Sequence, residues 1–193
     1  MKRKLETVYK PATAPGFLGK GHTASPVIAV DFTQSDPFIM LMDDQLEKKD
    51  DIPVGGPHPH AGFETVSLVI NGDFGEGEHA MKAGDFEIMT AGSGIVHTET
   101  ISQPTKMRLL QLWLNLPKKD RHATPRVQRL KSEHVPGIST NGVHAKSLQR
   151  IVCRSYFADQ EPHTAYHRGH QDGSWCDIHG SNSIRLHDVP VCH

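Results

Sequence analysis

Two short motifs contain the residues of this sequence that are best suited to chemistry. The first is His58-Pro59-His60 and the second is His97-Thr98-Glu99. Side chains at positions i and i+2 of a β-strand point to the same face. If each motif lies on a strand, three imidazoles and one carboxylate can meet on one inner face. Such a set suits one divalent metal ion, with Fe, Mn, Ni, Cu and Zn as candidates, and leaves room for water, dioxygen or a substrate oxygen.

Short apolar segments separated by turn residues surround both motifs. Residues 63–70, 86–89 and 95–100 predict strands, and residues 108–116 predict a longer strand that ends at Pro117. Asn71-Gly72 is a strong signal for a tight hairpin. No convincing helical pattern occurs among these segments. The sequence therefore predicts an all-β fold, an antiparallel sandwich or barrel.

The segments before the first motif predict an arm, two strands and a loop, in that order. Residues 1–26 are polar and interrupted by proline and glycine, so we expect an extended arm. Residues 27–32 and 38–42 predict the first two strands, and the charged residues 43–51 predict a solvated loop. The metal-binding domain is expected to span residues 27–130.

The C-terminal part, residues 131–193, is expected to be a partial or atypical segment. Periodicity weakens after residue 125, although residues 127–135 and 142–145 could be extended. His163, His167 and His170 would share one face of a helix and could hold zinc, but Gly169 and the lack of an amphipathic pattern oppose this reading. The odd number of cysteines does not indicate a disulfide framework. They are Cys153, Cys176 and Cys192.

Charge and composition limit the classes of partner. A net charge of −1 and a pI of about 6.9 argue against a dedicated nucleic-acid or membrane binder. The basic N-terminus is not followed by the apolar run of a signal peptide, and no segment is apolar enough to span a bilayer. We therefore expect a cytoplasmic protein, or a nuclear one if the source is eukaryotic.

An ordered series of segments carries a family resemblance. The segments are DPFIML at 36–41, HPHAGFETV at 58–66, GDFEIMTAGSGIVHTE at 84–99 and LQLWLNLP at 110–117. In this order they resemble the pirin family of the cupin superfamily. The resemblance implies the cupin double-stranded β-helix, a jelly-roll barrel, with one metal ion, usually iron(II), in the N-terminal barrel.

The same resemblance implies the roles of individual residues. It makes His58, His60, His97 and Glu99 the metal ligands. Glu64 lies an even number of positions after His58 and His60, so on a continuous strand it would point to the same face as they do. We therefore expect it to face inward and to orient a ligand or hold a proton, with direct ligation as the alternative. Glu99, or else Glu64, would act as general base.

The resemblance also implies two functions. The first is a quercetin 2,3-dioxygenase-like activity on a flavonol-like substrate and O2. The alternative is a non-enzymatic regulatory protein whose metal or redox state controls binding to a protein partner. The match fades near residues 142–146, and the segment between Gly72 and Gly84 is short for the family. We therefore expect one complete barrel followed by a second half that is truncated, frame-shifted or divergent.

Overall fold

The computed structural model of the protein describes residues 10–135, 137–140 and 143–146. The chain divides into two compact units, Met1–Val135 and Pro136–His193. Nearly all regular structure in the described residues is β-strand, which confirms the predicted all-β class. None of the helices among these residues has the length and apolar character needed to cross a bilayer.

The first unit contains the strands that matter for the site. Its helical parts are α1, Phe32–Ser35, and single 3-10 turns at Gly77–His79 and Ser132–His134. Its strands are β1 (Ala14–Pro15), β2 (His22–Ile28), β3 (Phe38–Lys48), β4 (His58–His60), β5 (Phe63–Asn71), β6 (Asp73–Phe74), β7 (Met81–Lys82), β8 (Phe86–Thr90), β9 (Ile95–His97), β10 (Thr105–Asn115) and β11 (Arg126–Leu130).

These strands form one large sheet and two small ones. The large sheet has seven strands in the order β1-β2-β3-β10-β5-β8-β11, and every neighbouring pair is antiparallel. β4 pairs with β9, and β6 pairs with β7, as separate two-stranded sheets. Both histidine motifs therefore lie on the small β4-β9 sheet or directly after it.

The central strands β5 and β10 define the inner face of the large sheet. Thr65, Ser67 and Val69 of β5 are buried, while the residues between them are half-buried, as expected when side chains alternate between two faces. The register places Trp113 of β10 opposite Thr65 and Gln111 opposite Ser67. The inner face therefore carries Trp113 and Gln111 as well as these buried residues of β5.

The hydrophobic core continues along the same face. Met107 and Leu109 precede Gln111 on β10 with the same parity, and both are buried. Removing a side chain as buried as Leu46, at 1% exposure, typically costs about 2–5 kcal/mol. The core cluster consists of Leu18, Leu46, Val69, Phe74, Met81, Ile101, Met107 and Leu109.

The N-terminal region differs from the prediction. β2 begins at His22, inside the expected arm, and β3 continues to Lys48, inside the expected solvated loop. β3 pairs with β2 on one side and with β10 on the other, which satisfies its backbone hydrogen bonds. Its charged side chains find partners elsewhere in the fold, such as His22 for Asp44 and the carbonyl of Ser102 for Lys48. Residues 27–32 were expected to be one strand. Residues 27 and 28 end β2, residues 29–31 connect the two elements, and Phe32 begins α1.

The chain bends at Gly72, but the predicted hairpin at Asn71-Gly72 does not form. β5 ends at Asn71, and the next strand, β6, leaves the large sheet and pairs with β7. The neighbours of β5 are β8 and β10 instead. The two-residue turn signal is local, whereas strand pairing depends on the whole sheet.

In the second unit, the described backbone forms one antiparallel pair. β12 (Gly137–Thr140) and β13 (Val143–Lys146) pair with Gly137 opposite Lys146. β13 overlaps the extended segment expected at residues 142–145. The interpretations of residues 150–193, including those of the three cysteines and of His163, His167 and His170, lie outside the described residues.

Candidate metal centre

Three histidines from the two motifs converge on the β4-β9 sheet. The register places His58 directly opposite His97 and His60 opposite Ile95. One ring nitrogen from each of His58, His60 and His97 lies within 4.8 Å of the others. The spacing of two residues between His58 and His60 on β4, together with the antiparallel pairing of His58 with His97, brings these rings to one side of the small sheet.

Hydrogen bonds determine which nitrogens of this cluster are available. Nδ1 of His58 lies 3.0 Å from the carbonyl oxygen of Gly56, so Nδ1 carries the proton and donates it. The Nε2 of a neutral His58 is then an acceptor, and Nε2 of His97 donates to it over 2.9 Å. A metal ion in this position would replace that shared proton and face both Nε2 lone pairs.

Aromatic side chains surround His60, the most buried of the three clustered histidines. His60 has an edge-to-face contact with Trp113 at 5.2 Å between ring centroids and with Phe63 at 5.1 Å. Phe63 and Trp113 stack on each other at 4.7 Å. The inner face of the large sheet therefore supports the cluster through two aromatic rings, which restrict the orientation of His60.

The electrostatics of the cluster favour neutral imidazoles. Burial, followed by the proximity of His58 and His60, lowers the pKa of His97 from 6.5 to about 4. Burial and then His58 also lower the pKa of His60. Neutral imidazole is the form that binds a metal ion. His60 and His97 are therefore in the ligand-competent form at neutral pH.

Glu99 lies near His58 but is not one of the three residues whose ring nitrogens converge. Its side chain is buried, and its backbone N–H donates to the carbonyl of Gly55. Burial raises the pKa of Glu99, while His58 and a hydrogen bond from Gln111 oppose that rise. The predicted ligand set thus consists of three converging histidines and a buried carboxylate that bonds to Gln111.

Trp113, Gln111 and Glu99 form a chain of hydrogen bonds. Nε1 of Trp113 donates to Oε1 of Gln111 over 3.2 Å, and Nε2 of Gln111 donates to Oε1 of Glu99 over 3.1 Å. Sequence reasoning did not single out Gln111. The available signal was an amide between two leucines, Leu110 and Leu112, because a buried amide needs hydrogen-bond partners.

Glu64 lies on the opposite face of the large sheet. It pairs with Leu114 of β10 and with Thr90 of β8, and the Thr90 hydroxyl donates to its Oε1 over 2.6 Å. Its neighbour Phe63 is the residue on the inner face, where it contacts His60. The expectation that Glu64 faces inward is therefore wrong.

The parity argument for Glu64 fails because the strand is interrupted. His58 and His60 belong to β4, whereas Glu64 belongs to β5, and the break includes Gly62 with a φ of 80°. A residue with positive φ does not continue the alternation of a strand. The proposed roles of Glu64 as orienting group, proton acceptor or direct ligand therefore lose their geometric basis.

The donor set fits a divalent first-row metal ion. Three imidazole nitrogens lie within 4.8 Å of one another, one ring is held by a backbone carbonyl, and a buried carboxylate lies alongside. Nitrogen ligands with one carboxylate suit Fe, Mn, Ni, Cu or Zn better than Mg or Ca. These residues could therefore hold a metal.

Comparison with known families identifies this arrangement. Residues 20–114, which include both histidine motifs, match the family model described as Pirin. This region of the chain belongs to the pirin family. The matching region contains β2 to β9 and nearly all of β10, and hence every residue of the candidate metal centre described above.

Relatives of this chain are about two-fifths identical to it over the residues that align. A pirin-like protein of Solanum lycopersicum is 40% identical over 119 residues, which are 58% of this chain and 40% of that protein. A Pseudomonas aeruginosa protein, PA3240, named provisionally as a quercetin 2,3-dioxygenase, is 36% identical over 141 residues, 65% of this chain and 50% of that one. The chain spans half or less of the length of these relatives.

The fold of the pirin domain is found in solved structures. A quercetin 2,3-dioxygenase from Acinetobacter baumannii superposes with a TM-score of 0.59 and 24% identity, over 72% of this chain and 54% of that one. With the strand content described above, this similarity confirms the cupin β-barrel.

Proposed function

We propose that this pirin domain is a metal-dependent dioxygenase of the quercetin 2,3-dioxygenase type, with iron(II) as its metal and a flavonol-like compound as its substrate. The convergence of three histidines beside a buried carboxylate and an aromatic wall carries the proposal. The provisional name of the Pseudomonas aeruginosa relative supports the choice of substrate.

The ligand set in this proposal is His58, His60, His97 and Glu99. A divalent metal bound by them would lower the pKa of a substrate hydroxyl. Glu99 follows His97 by two residues, and the amide of Gln111 donates a hydrogen bond to its Oε1. Glu99 is therefore also the group proposed to accept the hydroxyl proton.

The inner face of the sheet supplies the remaining functions. The stacked pair Phe63 and Trp113 lies against His60 and presents an apolar surface next to the ligands. Such a surface excludes water and can orient a planar ring. Binding and orientation of a flavonol-like ring are therefore assigned to these side chains.

Oxygen uptake tests the proposal. The Fe(II)-loaded full chain is mixed with quercetin in an oxygen electrode and compared with the double variant His58→Ala, His97→Ala. His134→Ala is the matched control, because His134 is exposed and its ion-pair partner is the adjacent Glu133. We expect uptake by the wild type and by His134→Ala, and none by the double variant.

A lack of oxygen uptake would decide against the proposal under one condition. A folded protein with its metal bound that consumes no oxygen with quercetin would contradict the dioxygenase proposal. It would favour the regulatory hypothesis, in which the metal state controls binding to a protein partner.

A further inference from the structure

The loop before β2 is a closed turn built around one buried histidine. The N–H of Gly16 donates to the carbonyl of His22 over 2.9 Å, and the N–H of His22 donates to the carbonyl of Gly19 over 3.1 Å. His22 is only 2% exposed. The backbone of residues 16–22 therefore folds back on itself and encloses the His22 side chain.

Two hydrogen bonds determine the tautomer of His22. The backbone N–H of Leu18 donates to Nδ1 over 3.1 Å, so the proton of the neutral ring is on Nε2. Nε2 then donates to Oδ1 of Asp44 over 3.0 Å. The ring packs directly on Gly16, where an added Cβ would lie 2.0 Å from Nδ1. His22 thus ties the loop to strand β3.

This anchored loop points its two apolar side chains in different directions. Leu18 is buried in the core cluster, whereas Phe17 is 67% exposed. The Phe17 ring nevertheless has an edge-to-face contact with His58, at 6.0 Å between centroids, and another with His22, at 5.6 Å. A largely exposed aromatic ring is therefore held next to one of the candidate metal ligands.

Aromatic rings thus adjoin the cluster at two histidines. Trp113 and Phe63 contact His60, and Phe17 contacts His58. The first two are supported by the sheet, but Phe17 keeps most of its surface free to contact another molecule. Burying that surface against a second ring would be favourable, because paired aromatic rings gain energy beyond their buried area.

We propose that Phe17 determines specificity at this centre by packing against the ring of a planar aromatic ligand bound at the metal. The inference rests on the proposed function and deepens it, since it names the residue that would select ring-bearing ligands at the same site. It needs a bound metal but not dioxygenase turnover. It can therefore be tested by equilibrium binding.

Two hydroxamates provide the test, because they share one metal-binding group and differ in their ring. Acetohydroxamate has no ring, and 2-naphthohydroxamate has a planar aromatic one. Each is titrated into the Zn(II)-loaded full chain by calorimetry, with Zn(II) used to prevent redox chemistry. We expect Phe17→Ala to weaken 2-naphthohydroxamate binding about fivefold to tenfold and to leave acetohydroxamate binding unchanged.

Two further variants control for the substitution itself. Phe17→Tyr keeps an aromatic ring and should retain the wild-type preference. Phe32→Ala removes another exposed phenylalanine, 43% exposed on α1, and should change neither affinity. Retention of the preference in Phe17→Tyr would show that the ring, and not the loop fold, is responsible.

Each other result overturns the inference. Equal weakening of both hydroxamates in Phe17→Ala would mean that Phe17 acts through His58 and the metal. Unchanged binding of both, or no binding of either to the wild type, would mean that no ligand at the metal contacts Phe17. If the ring preference depends on Phe17 while quercetin causes no oxygen uptake, this inference stands and the dioxygenase proposal fails.

Discussion

The side-chain amide of Gln111 donates a hydrogen bond of 3.1 Å to Oε1 of Glu99, and both residues are buried. The orientation of that amide is determined by Trp113, because an indole N–H can only donate and therefore requires the oxygen of Gln111. The NH2 group must then point to Glu99. A carboxylate next to the histidine cluster is thus oriented by Gln111, which is not one of the predicted ligands.

Replacing Gln111 should weaken metal binding. Gln111→Leu leaves the buried carboxylate of Glu99 without its hydrogen-bond donor, which should raise the pKa of Glu99 further and free its side chain. Loss of such a supporting hydrogen bond typically costs about 10-fold to 100-fold in metal affinity. The Kd for Zn(II) or Fe(II) is measured by competition with a chelator. Gln45→Leu, on the exposed side of β3, is the matched control, and equal Kd values for the two variants would refute the role of Gln111.

Replacing Trp113 by phenylalanine should have a smaller effect in the same direction. Trp113→Phe keeps a ring to stack on Phe63 and to contact His60, but it removes the N–H that orients Gln111. The amide can then flip and present its oxygen to Glu99 for part of the time. We expect a loss of metal affinity of about threefold to tenfold. A Kd equal to that of the wild type would show that the indole N–H does not orient the amide.

Local patterns predicted the histidine cluster for a clear physical reason. The positions of His58, His60 and His97 relative to one another depend on strand alternation and on one antiparallel pairing, and both are short-range regularities. The same alternation misplaced Glu64, because Gly62 ends one strand before the next begins. Counting positions along the sequence therefore predicts the face on which a side chain lies only within an uninterrupted strand.

Other features depend on partners that are distant in sequence. The charged end of β3 looks like a solvated loop, yet it forms a strand in which Asp44 meets His22 and Lys48 meets the carbonyl of Ser102. The fixed orientation of Glu99 likewise requires Gln111 from another strand. Composition within a short window cannot reveal that such charged groups find hydrogen-bond partners across the fold.

The metal-free protein should lose stability as the pH falls from about 6.5 to about 4. The pKa of His97 is about 4 in the folded protein and 6.5 without burial, so the unfolded chain binds more protons in this range. The raised pKa of Glu99 acts in the opposite direction, because it favours the folded state as Glu99 becomes protonated. Comparison with a variant of His97 separates the two contributions.

His97→Gln should remove the share of this pH dependence that comes from His97. Urea unfolding of the metal-free wild type and of His97→Gln is measured between pH 4 and 8. Because His97 is only half-buried, solvent screening reduces its contribution to about 1–2 kcal/mol. The difference in unfolding free energy between the proteins should change by that amount between pH 4 and 7. A difference that is constant with pH would show that His97 titrates normally.

Adjacent aspartates on β3 should differ in their importance for stability. Asp44 accepts a hydrogen bond from the buried His22, whereas Asp43 pairs with Arg108, whose side chain is 48% exposed. Asp44→Ala leaves the Nε2–H of His22 buried without its acceptor and should lower the unfolding free energy by about 1–3 kcal/mol. Asp43→Ala breaks only a partly exposed ion pair and should cost less than about 1 kcal/mol.

Salt distinguishes the two aspartates further. Urea unfolding is repeated at low and high salt. The small effect of Asp43→Ala should shrink, because salt screens exposed charges, while the effect of Asp44→Ala should persist. Since His22 ties residues 16–22 to β3, Asp44→Ala should also reduce the preference for 2-naphthohydroxamate without weakening acetohydroxamate binding. Equal losses of stability in the two variants would mean that His22 does not depend on Asp44 for its position in the loop.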